Sequence, residues 1–481
     1  MSSSYASSIN GSSPNGSIPE HPARFNPFSM TSSQTGSNLT INTEDSNSII
    51  FDDDGELVSA GPDALWNKLL PTRDYSPSRR LVFSLLLNLR NFVSPAEILQ
   101  KLVQTCIYEQ NTSSSNFHKR TRTKLFEHVF EFIEEWTSTI PYDFVKKEMR
   151  DRLTELYSIC TTDAQDKLRF DHLMDNLVNA ITKREHYEQA IRSLRPNVEE
   201  TPEKSAEFYG LACLDATPRI VAEQLAQIEM ERLSMIGPDE IVEMLSTSSL
   251  ENLQQPKDGK LNDIRHYIDW FNQLTRLVAT EILRHQHKRH RVKCIEFFID
   301  LGKECINTGN FNSLMAIVAA LTIPAVSRLK RTWCRVEKSK LEILQHQLNP
   351  SGNFVSYRST LNAAIWRFEG AKNDAERVII PFFGLMLKDL YFIERACLDT
   401  LSNGHLNLVM FSQFADHMSN LIKWKSRTCP FKRNSQVLQY LLLAATYSEK
   451  NMLLLSYEYE SPANDAERDQ HKKFLDEQES K

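Results

Sequence analysis

The stretch VIIPFFGLMLKDLYFIERACLDTLSNGHLNL, residues 378–408, combines a helical apolar pattern with a turn. Pro381 fits the first turn of a helix but not its interior, so it predicts a helix over about 383–398. The Ser-Asn-Gly-His run at 402–405 predicts a turn, because Gly404 can adopt a positive φ. The stretch therefore predicts a helix that ends in a tight reversal.

A second helix is predicted directly after this turn. Its apolar residues form one stripe with helical spacing: Leu408, Phe411, Phe414, Met418, Leu421 and Ile422. The two helices together predict an antiparallel hairpin that carries Asp389, Glu394 and Arg395 among apolar neighbours. From the pattern alone, the alternative is that both are ordinary core helices.

The rest of the chain also has helical periodicity. It contains only 14 glycines in 481 residues, few alternating β-branched runs and many apolar sets spaced i, i+3, i+4, i+7. Ser94-Pro95-Ala96-Glu97 has the pattern of a capping box with a first-turn proline, and Thr217-Pro218 is a similar start signal. We therefore predict an all-α fold.

Composition divides the chain into five segments. Ser, Asn, Gly, Thr and Pro dominate residues 1–48, whose few apolar groups cannot offset an ordering entropy of about 1 to 2 kcal/mol per residue. The predicted segments are a disordered Ser-rich tail at 1–60, a four-helix N-terminal bundle at 62–162, a helical and polar linker at 163–204, a large helical domain at 205–460 and a polar C-terminal tail at 461–481. Inside the bundle, the polar run at 110–120 predicts a mobile loop.

Charge and apolar content restrict the class of protein. The net charge of −6 indicates no global basic field for nucleic acid, and no apolar run approaches the roughly 20 residues of a membrane span. The eight cysteines are scattered without CxxC spacing, which predicts reduced thiols in a cytoplasmic protein.

The residues for several common chemistries are missing. The sequence has no GxxxxGK[ST], GxGxxG, HExxH or GxSxG motif, so bond-making catalysis, a metal site and a cofactor are not expected. His285, His287 and His290 lie in LRHQHKRHRVK, where cationic neighbours favour a solvated basic turn over a metal site. This segment, RLKRTWCRVEKSK at 328–340 and KWKSRTCPFKR at 423–433 are predicted to be exposed basic faces, with contact to anionic lipid or an acidic partner as the alternative.

Five ordered motifs resemble one known family. GNFNSLMAIVAAL (309–321), SRLKRTW (327–333), NFVSYR (353–358), IPFFGLMLKDLYFI (380–393) and NGHLNL (403–408) resemble the catalytic domain of Ras-family guanine-nucleotide exchange factors. The segment at 62–162 resembles the Ras-exchanger motif that precedes this domain. The combination of WFNQL, LVATEI, KDLYF, SNGH, CPF and LQYLL is most similar to the "RasGEF domain-containing family member 1" group.

The resemblance implies a mechanical function. In this family the hairpin enters a small GTPase beside its nucleotide and opens switch I, while the body of the domain grips switch II. By motif position, Phe382, Met315, Phe354 and Ile268 would line the pocket for a switch II aromatic residue. Tyr391 would face the magnesium site of the GTPase. The segment at 62–162 would brace the hairpin.

The sequence departs from the family pattern at two positions. Thr322 stands where the family usually has Asn. Arg395 stands where the family usually has the hairpin Glu, so that Glu394 would be the acid that competes with phosphate. A shift of one residue rotates a side chain by about 100° around a helix. Efficient exchange is therefore one expectation, and weakened exchange is the other.

Two main functions follow from the resemblance. The first is an exchange factor that promotes GDP release from a Rap or Ras type GTPase, binds its GDP-bound or nucleotide-free form and is recruited from the cytoplasm to membranes. The second is a GTPase-binding or scaffold module with weak or no exchange, and a helical scaffold unrelated to GTPases is a third alternative.

Overall fold

Helices form almost all of the regular structure. The computed structural model describes residues 49–112, 116–161, 164–194, 198–199, 210–211, 214, 216–246 and 263–479. These described residues contain twenty α-helices and five short strands, which confirms the all-α prediction.

The N-terminal part holds six helices, which are α1 (Pro62–Leu69), α2 (Arg79–Asn88), α3 (Pro95–Thr112), α4 (Asn116–Thr139), α5 (Lys147–Cys160) and α6 (Ala164–Ser193). The remaining helices are α7 (Pro218–Met235), α8 (Pro238–Ser246), α9 (Asp263–Leu283), α10 (Lys288–Asn307), α11 (Phe311–Thr322), α12 (Pro324–Ser327), α13 (Lys330–Trp333), α14 (Lys338–Gln347), α15 (Ser351–Glu369), α16 (Phe383–Leu398), α17 (Leu408–Lys425), α18 (Ser435–Leu443), α19 (Glu449–Tyr459) and α20 (Asp465–Glu479). Single 3-10 turns occur at Leu89–Asn91, Pro141–Phe144 and Asp374–Glu376. The strands are β1 (Ile49–Phe51), β2 (Leu57–Ala60), β3 (Val198–Glu199), β4 (Leu406–Asn407) and β5 (Thr446–Tyr447).

Helices α2 to α5 correspond to the four helices predicted for the N-terminal bundle. Trp136 on α4 is completely buried and meets Phe132 and Phe144 edge-on, at ring-centroid distances of 5.9 and 5.3 Å. The predicted capping box is present, because Ser94 N donates to a Glu97 carboxylate oxygen at 2.9 Å and Glu97 N donates to Ser94 Oγ at 3.3 Å. Local sequence signals therefore set the helix starts in this bundle.

The predicted disordered tail ends too late. Residues 49–60 form β1 and β2, which pair antiparallel, and β2 also pairs with β4 in a three-stranded sheet. Ile49 and Ile50 supply apolar, β-branched side chains that the Ser-rich residues before them lack. The part of the predicted tail at 1–48 lies outside the described residues.

Helix covers most of the predicted loop at 110–120, and it is also present in the predicted helical linker and in the predicted C-terminal tail. Helix α3 continues to Thr112 and α4 begins at Asn116, so that only 113–115 of the predicted loop remain, and those residues lie outside the description. The helical part of the predicted linker is α6, which buries Phe170, Leu177 and Ile181 and is therefore packed rather than free. Most of the predicted C-terminal tail forms α20. This helix contacts α19, because the hydroxyl of Tyr457 on α19 donates a hydrogen bond to Gln470 Oε1 on α20 at 2.9 Å.

The histidine segment is less exposed than predicted. His285 and His290 are buried, and only His287, which precedes the first turn of α10, is exposed. The cause is Arg291, whose buried guanidinium donates to the carbonyls of His285 and Gln286 at 2.9 and 2.8 Å and folds the chain back over itself. In the part of the chain that the structure describes, no three His, Cys, Asp or Glu side chains are grouped as a metal site.

Candidate functional site

Helices α16 and α17 form the predicted hairpin. Helix α16 occupies residues 383–398, as predicted, and the reversal places Gly404 at φ +79°. Leu401 N donates to the His405 carbonyl oxygen at 2.8 Å, which closes the turn. The inner face of α16 buries Leu385, Leu390 and Cys397 against the rest of the protein.

The outer edge of α16 is exposed over its first ten residues, 383–392. Its exposed residues share one side of the helix: Gly384, Lys388, Tyr391 and Phe392. Tyr391 is 40% exposed and Phe392 is 63% exposed, and their rings meet edge-on at 5.7 Å. An apolar edge of this kind is typical of a surface that binds another protein. Phe392 is a candidate that the sequence reasoning did not select, although its motif contained it.

The N-terminal segment supports the hairpin from the other side. Strand β2 pairs with β4 at the tip of the hairpin, and Ser59 Oγ lies 3.2 Å from His405 Nδ1. Asn88 at the end of α2 is buried, and its side-chain amide donates to the Phe411 carbonyl oxygen of α17 at 3.3 Å. Arg80 binds Asp416 through two hydrogen bonds of 3.2 and 2.8 Å. These contacts fix the position of α17, and α17 packs against α16 in the hairpin.

A buried polar network fixes the base of the hairpin. Glu229 on α7 accepts hydrogen bonds from Trp270 Nε1 at 3.2 Å, Asn312 Nδ2 at 3.0 Å and Ser313 Oγ at 2.7 Å. Burial raises the pKa of the Glu229 carboxyl. Asn312 also accepts a hydrogen bond from Phe383 N, the first residue of α16, at 3.3 Å. The network therefore joins α7, α9 and α11 to the start of the hairpin.

The four predicted pocket residues lie on elements that meet at this base. Phe382 is half-buried, its ring lies 6.0 Å from that of Phe271 on α9, and its N–H donates to Tyr357 Oη on α15 at 2.9 Å. Ile268, half-buried, lies one turn before Phe271 on α9. Met315, half-buried, lies one turn after Asn312 on α11, and Phe354, half-buried, lies one turn before Tyr357.

Phe354 has an uncommon backbone conformation. Gly352, Asn353 and Phe354 adopt φ values of 60°, 56° and 61°, in the left-handed region, before α15 continues as a regular helix. Such a conformation is unfavourable for a bulky residue and persists only where surrounding contacts hold it. Arg358 supplies one such contact, because its Nε donates to the Asn353 carbonyl oxygen at 2.9 Å.

Arg358 also connects this strained loop to the hairpin. Its two terminal nitrogens donate to the two carboxylate oxygens of Asp389 on α16, at 2.7 and 2.8 Å. The side chains of Arg358 and Asp389 are only 12% and 21% exposed. Arg358 therefore positions the Phe354 loop and the hairpin relative to each other. The NFVSYR motif contained this arginine, but its partner is 31 residues away.

Glu394 is placed on the inner side of the hairpin. Its side chain is 1% exposed, and one carboxylate oxygen accepts a hydrogen bond from Ser246 Oγ on α8 at 3.2 Å. Burial raises the pKa of the Glu394 carboxyl. Ser246 Oγ also lies 2.6 Å from Asn91 Oδ1 of the N-terminal bundle. Ser246 therefore links α16, α8 and the N-terminal bundle. In this conformation Glu394 does not face outward, whereas the family resemblance implied contact with a phosphate-binding loop.

The two departures from the family pattern are located differently. Arg395 is 35% exposed, donates to the Leu245 carbonyl oxygen at 2.9 Å and lies over the Tyr391 ring at 5.0 Å. Thr322 is the last residue of α11 and is exposed, and its hydroxyl donates to the Ala319 carbonyl oxygen of its own helix at 2.9 Å. Arg395 is therefore part of the hairpin edge, whereas the Thr322 hydroxyl bonds within its own helix.

Within the described residues, every helix is too short or too polar to span a membrane.

Comparisons with known proteins match both parts of the chain. A family model described as "RasGEF domain" matches residues 220–424, and one described as "RasGEF N-terminal motif" matches residues 56–156. The chain is 37% identical over 460 residues to the "Ras-GEF domain-containing family member 1B" of Mus musculus. This match covers 93% of the present chain and 97% of the relative. It is 37% identical over 430 residues to member 1B-A of Danio rerio, covering 87% of this chain and 83% of the relative. It is 36% identical over 422 residues to member 1C of Mus musculus, covering 87% and 91%.

Proposed function

The chain belongs to the family of Ras guanine-nucleotide exchange factors, and we propose that it promotes GDP release from a small GTPase of the Rap or Ras type. The observation that carries this proposal is the exposed edge of α16, with Tyr391 and Phe392, on a hairpin that is held by a second helix and an N-terminal strand. We propose residues 205–460 as the exchange domain and residues 62–162 as its brace. The protein is proposed to act in the cytoplasm and to be recruited to membranes.

The proposed mechanism is mechanical. The edge of α16 enters the GTPase beside its nucleotide and displaces switch I, with Tyr391 towards the magnesium site. A ligand held at about 1 pM is bound by about 16 kcal/mol. Release about ten-thousand-fold faster requires a barrier lower by only about 5.5 kcal/mol, which displacement of contacts can supply without bond chemistry. A rigid edge suits this role because little of the binding energy is lost in ordering it.

The pocket at the base of the hairpin is proposed to hold the GTPase in its GDP-bound or nucleotide-free form. Phe382, Met315, Phe354 and Ile268 are half-buried and lie on four elements that meet there. Phe382 and Phe354 are aromatic, and aromatic side chains that become fully buried on binding concentrate interface energy, at roughly 2 kcal/mol or more each. Because exchanger and nucleotide weaken each other's binding equally, excess GTP completes the exchange.

The burial of Glu394 favours a second candidate function. With that carboxylate hydrogen-bonded to Ser246 and only 1% exposed, the last turn of α16 presents Arg395 where the expected acid would face a phosphate-binding loop. A hairpin of this kind can bind a GTPase without releasing its nucleotide efficiently. The second candidate is therefore a GTPase-binding module with weak or no exchange.

Fluorescent-nucleotide release from purified Ras, Rap and Ral proteins tests the proposal. We expect the wild-type protein to accelerate release from at least one Rap or Ras protein, and Phe392→Ala to remove most of that acceleration. Phe392 is 63% exposed, so its truncation is expected to leave the fold intact. Phe92→Ala is the matched control, since Phe92 is 48% exposed on the N-terminal bundle.

The two candidate functions give different results in the same assay. Binding of a GTPase without faster release supports the module, and absence of both binding and release rejects both functions. Phe382→Ala tests the pocket separately and should weaken GTPase binding by about thirtyfold, from a loss of about 2 kcal/mol. Equal binding by wild type and Phe382→Ala would remove that residue from the proposed pocket.

Arg395→Glu examines the departure in the hairpin. Faster exchange would mean that the arginine attenuates activity. No gain would mean that the family's acid is not needed at this position. The new carboxylate would lie close to Glu394, because Arg395 Nε is 3.7 Å from a Glu394 oxygen, so thermal stability must be measured in parallel.

A further inference from the structure

Two basic segments that are separate in the sequence lie side by side in the structure. Arg291 on α10 is 3% exposed, and its Nε donates to Thr332 Oγ1 on α13 at 3.4 Å, across 41 positions of sequence. Its guanidinium also lies over the Tyr459 ring at 4.3 Å. Arg291 therefore anchors the first turn of α10 against α13, and the cations flanking each segment are brought to neighbouring positions.

These cations form what we call the basic face. Its exposed members are Lys288, Arg289 and Lys293 on α10 and Lys330, Arg331 and Arg335 in and after α13. Among the residues that the structure describes, no carboxylate forms an ion pair with Lys288, Arg289, Arg331 or Arg335, whereas neighbouring Arg328 is paired with Glu467 at 2.9 Å. The basic face therefore carries charge that the fold does not neutralise by direct pairing.

The acids that border the face bind backbone groups or mark its boundary. Glu296, on α10 after Lys293, accepts a hydrogen bond from the backbone N–H of Glu337 at 3.4 Å. Glu460 is buried, and its carboxylate accepts hydrogen bonds from Arg331 N at 2.8 Å and Thr332 N at 2.9 Å. This acid fixes the start of α13 and leaves the arginine side chain exposed. On the far side, Lys340 is paired with Asp300 at 2.8 Å, so the uncompensated charge ends before α14.

We propose that the basic face binds the anionic surface of a lipid bilayer. Clusters of four to eight Lys and Arg side chains are attracted to anionic lipids, each by about 1 kcal/mol. Long cationic side chains from the starts of two helices suit a diffuse layer of negative charge better than one fixed set of carboxylates. A nucleic acid is disfavoured by the net charge of −6, which repels an extended polyanion beyond the face.

Vesicle co-sedimentation of the full chain tests this surface directly. The vesicles contain phosphatidylcholine alone or phosphatidylcholine with phosphatidylserine. We expect binding to the anionic vesicles only, with a decrease as ionic strength rises, because exposed charges are screened. Two double variants separate the contributions of the segments: Lys288→Glu with Arg289→Glu, and Arg331→Gln with Arg335→Gln. Each double is expected to lower the vesicle partition coefficient by about 25-fold or more, since each of the two cations contributes about fivefold.

A matched control distinguishes the basic face from net charge. Lys146 and Lys147 are exposed at the start of α5 in the N-terminal bundle, and Lys146→Glu with Lys147→Glu changes the net charge by the same amount as the α10 double. We expect this control to bind anionic vesicles nearly as well as the wild type. An equal loss in the control, or a loss in only one of the two face doubles, would overturn the proposal.

The source of negative charge is decided by comparing affinities. A soluble polyglutamate peptide that binds the protein, without vesicles and at the same ionic strength, more tightly than the phosphatidylserine vesicles do would identify an acidic protein segment and overturn the lipid assignment. The proposal that the basic face binds lipid is independent of the proposed exchange function. Nucleotide release from a soluble GTPase should be unchanged in both face doubles, so a failure of exchange and a failure of membrane binding are observed separately.

Discussion

The Arg358–Asp389 pair offers the sharpest test of how the hairpin is held. Arg358 makes two hydrogen bonds to Asp389 on α16 and a third to the Asn353 carbonyl oxygen of the strained loop. Replacing Arg358 with Ala removes all three and leaves the Asp389 carboxylate, which is 21% exposed, without its cation. The variant should therefore loosen the hairpin and the loop together.

The expected magnitude follows from burial and geometry. Hydrogen bonds to charged groups contribute about 1.5 to 3 kcal/mol each to stability, and bidentate Arg–carboxylate pairs are among the strongest. Partial solvent access reduces this value, so we expect Arg358→Ala to lower the free energy of unfolding by about 2 to 3 kcal/mol. If about 1.4 kcal/mol of this loss falls on the hairpin geometry used in exchange, nucleotide release slows about tenfold.

A double-mutant cycle isolates the pair. Arg358→Ala, Asp389→Ala and the double variant are unfolded in urea, and the coupling free energy is expected to be about 1 to 2 kcal/mol. The matched control is the Arg79–Glu134 pair, which has the same 2.7 Å separation but side chains that are 64% and 45% exposed. Its coupling should be about 0.2 to 1 kcal/mol. Equal coupling in the two cycles would refute the argument that burial makes the Arg358 pair a structural clamp.

Three further predictions concern the brace, the pH dependence and the backbone. Removal of residues 1–162 should lower both the melting temperature and the exchange rate, because β4 and α17 lose their partners, and unchanged values for both would contradict the bracing role. Burial raises the pKa of the Glu240 carboxyl to about 8. The folded protein therefore binds the proton of this carboxyl more tightly than the unfolded chain does, and the stability that this binding contributes is lost as pH rises from about 4.5 towards 8. Glu240→Gln should flatten that decline in urea unfolding at several pH values, and an equally steep decline would argue against the assignment. Gly309→Ala should lower the free energy of unfolding by at least about 2 kcal/mol, because φ is +75° and the new Cβ would lie 2.2 Å from the Val378 carbonyl oxygen. Gly404→Ala is the control: φ is +79° but no atom of the described residues lies within 4 Å of the new Cβ, so the loss in the same measurement should be only about 1 kcal/mol.

The start signals and the hairpin were predictable because they depend on residues close together in sequence. The capping box at Ser94, the capping Thr217 and the bounds of α16 all follow from side chains within one or two helical turns. The apolar stripe of α17 likewise predicted which face would be buried, and Phe411, Phe414 and Met418 are each at most 1% exposed. Periodicity alone was sufficient for these features.

Other features depend on partners that are distant in sequence. Nothing near Glu394 indicated that it would turn inward to Ser246, a partner 148 positions away. The strand β2 was missed because four residues acquire strand structure only when β1 and β4 lie beside them. Likewise the linker prediction did not foresee that Arg184 on α6 would pair with Asp263 at 2.8 Å.

Local spacing thus determined where the helices begin, where the hairpin turns and which stripes are apolar, since backbone hydrogen bonds and side-chain neighbours at i+3 and i+4 are local. Tertiary packing determined which side chains are exposed for contact with a partner. It buried Glu394, exposed Phe392 and joined the α10 and α13 cations into one face, because desolvation and pairing depend on whatever the fold brings alongside each group.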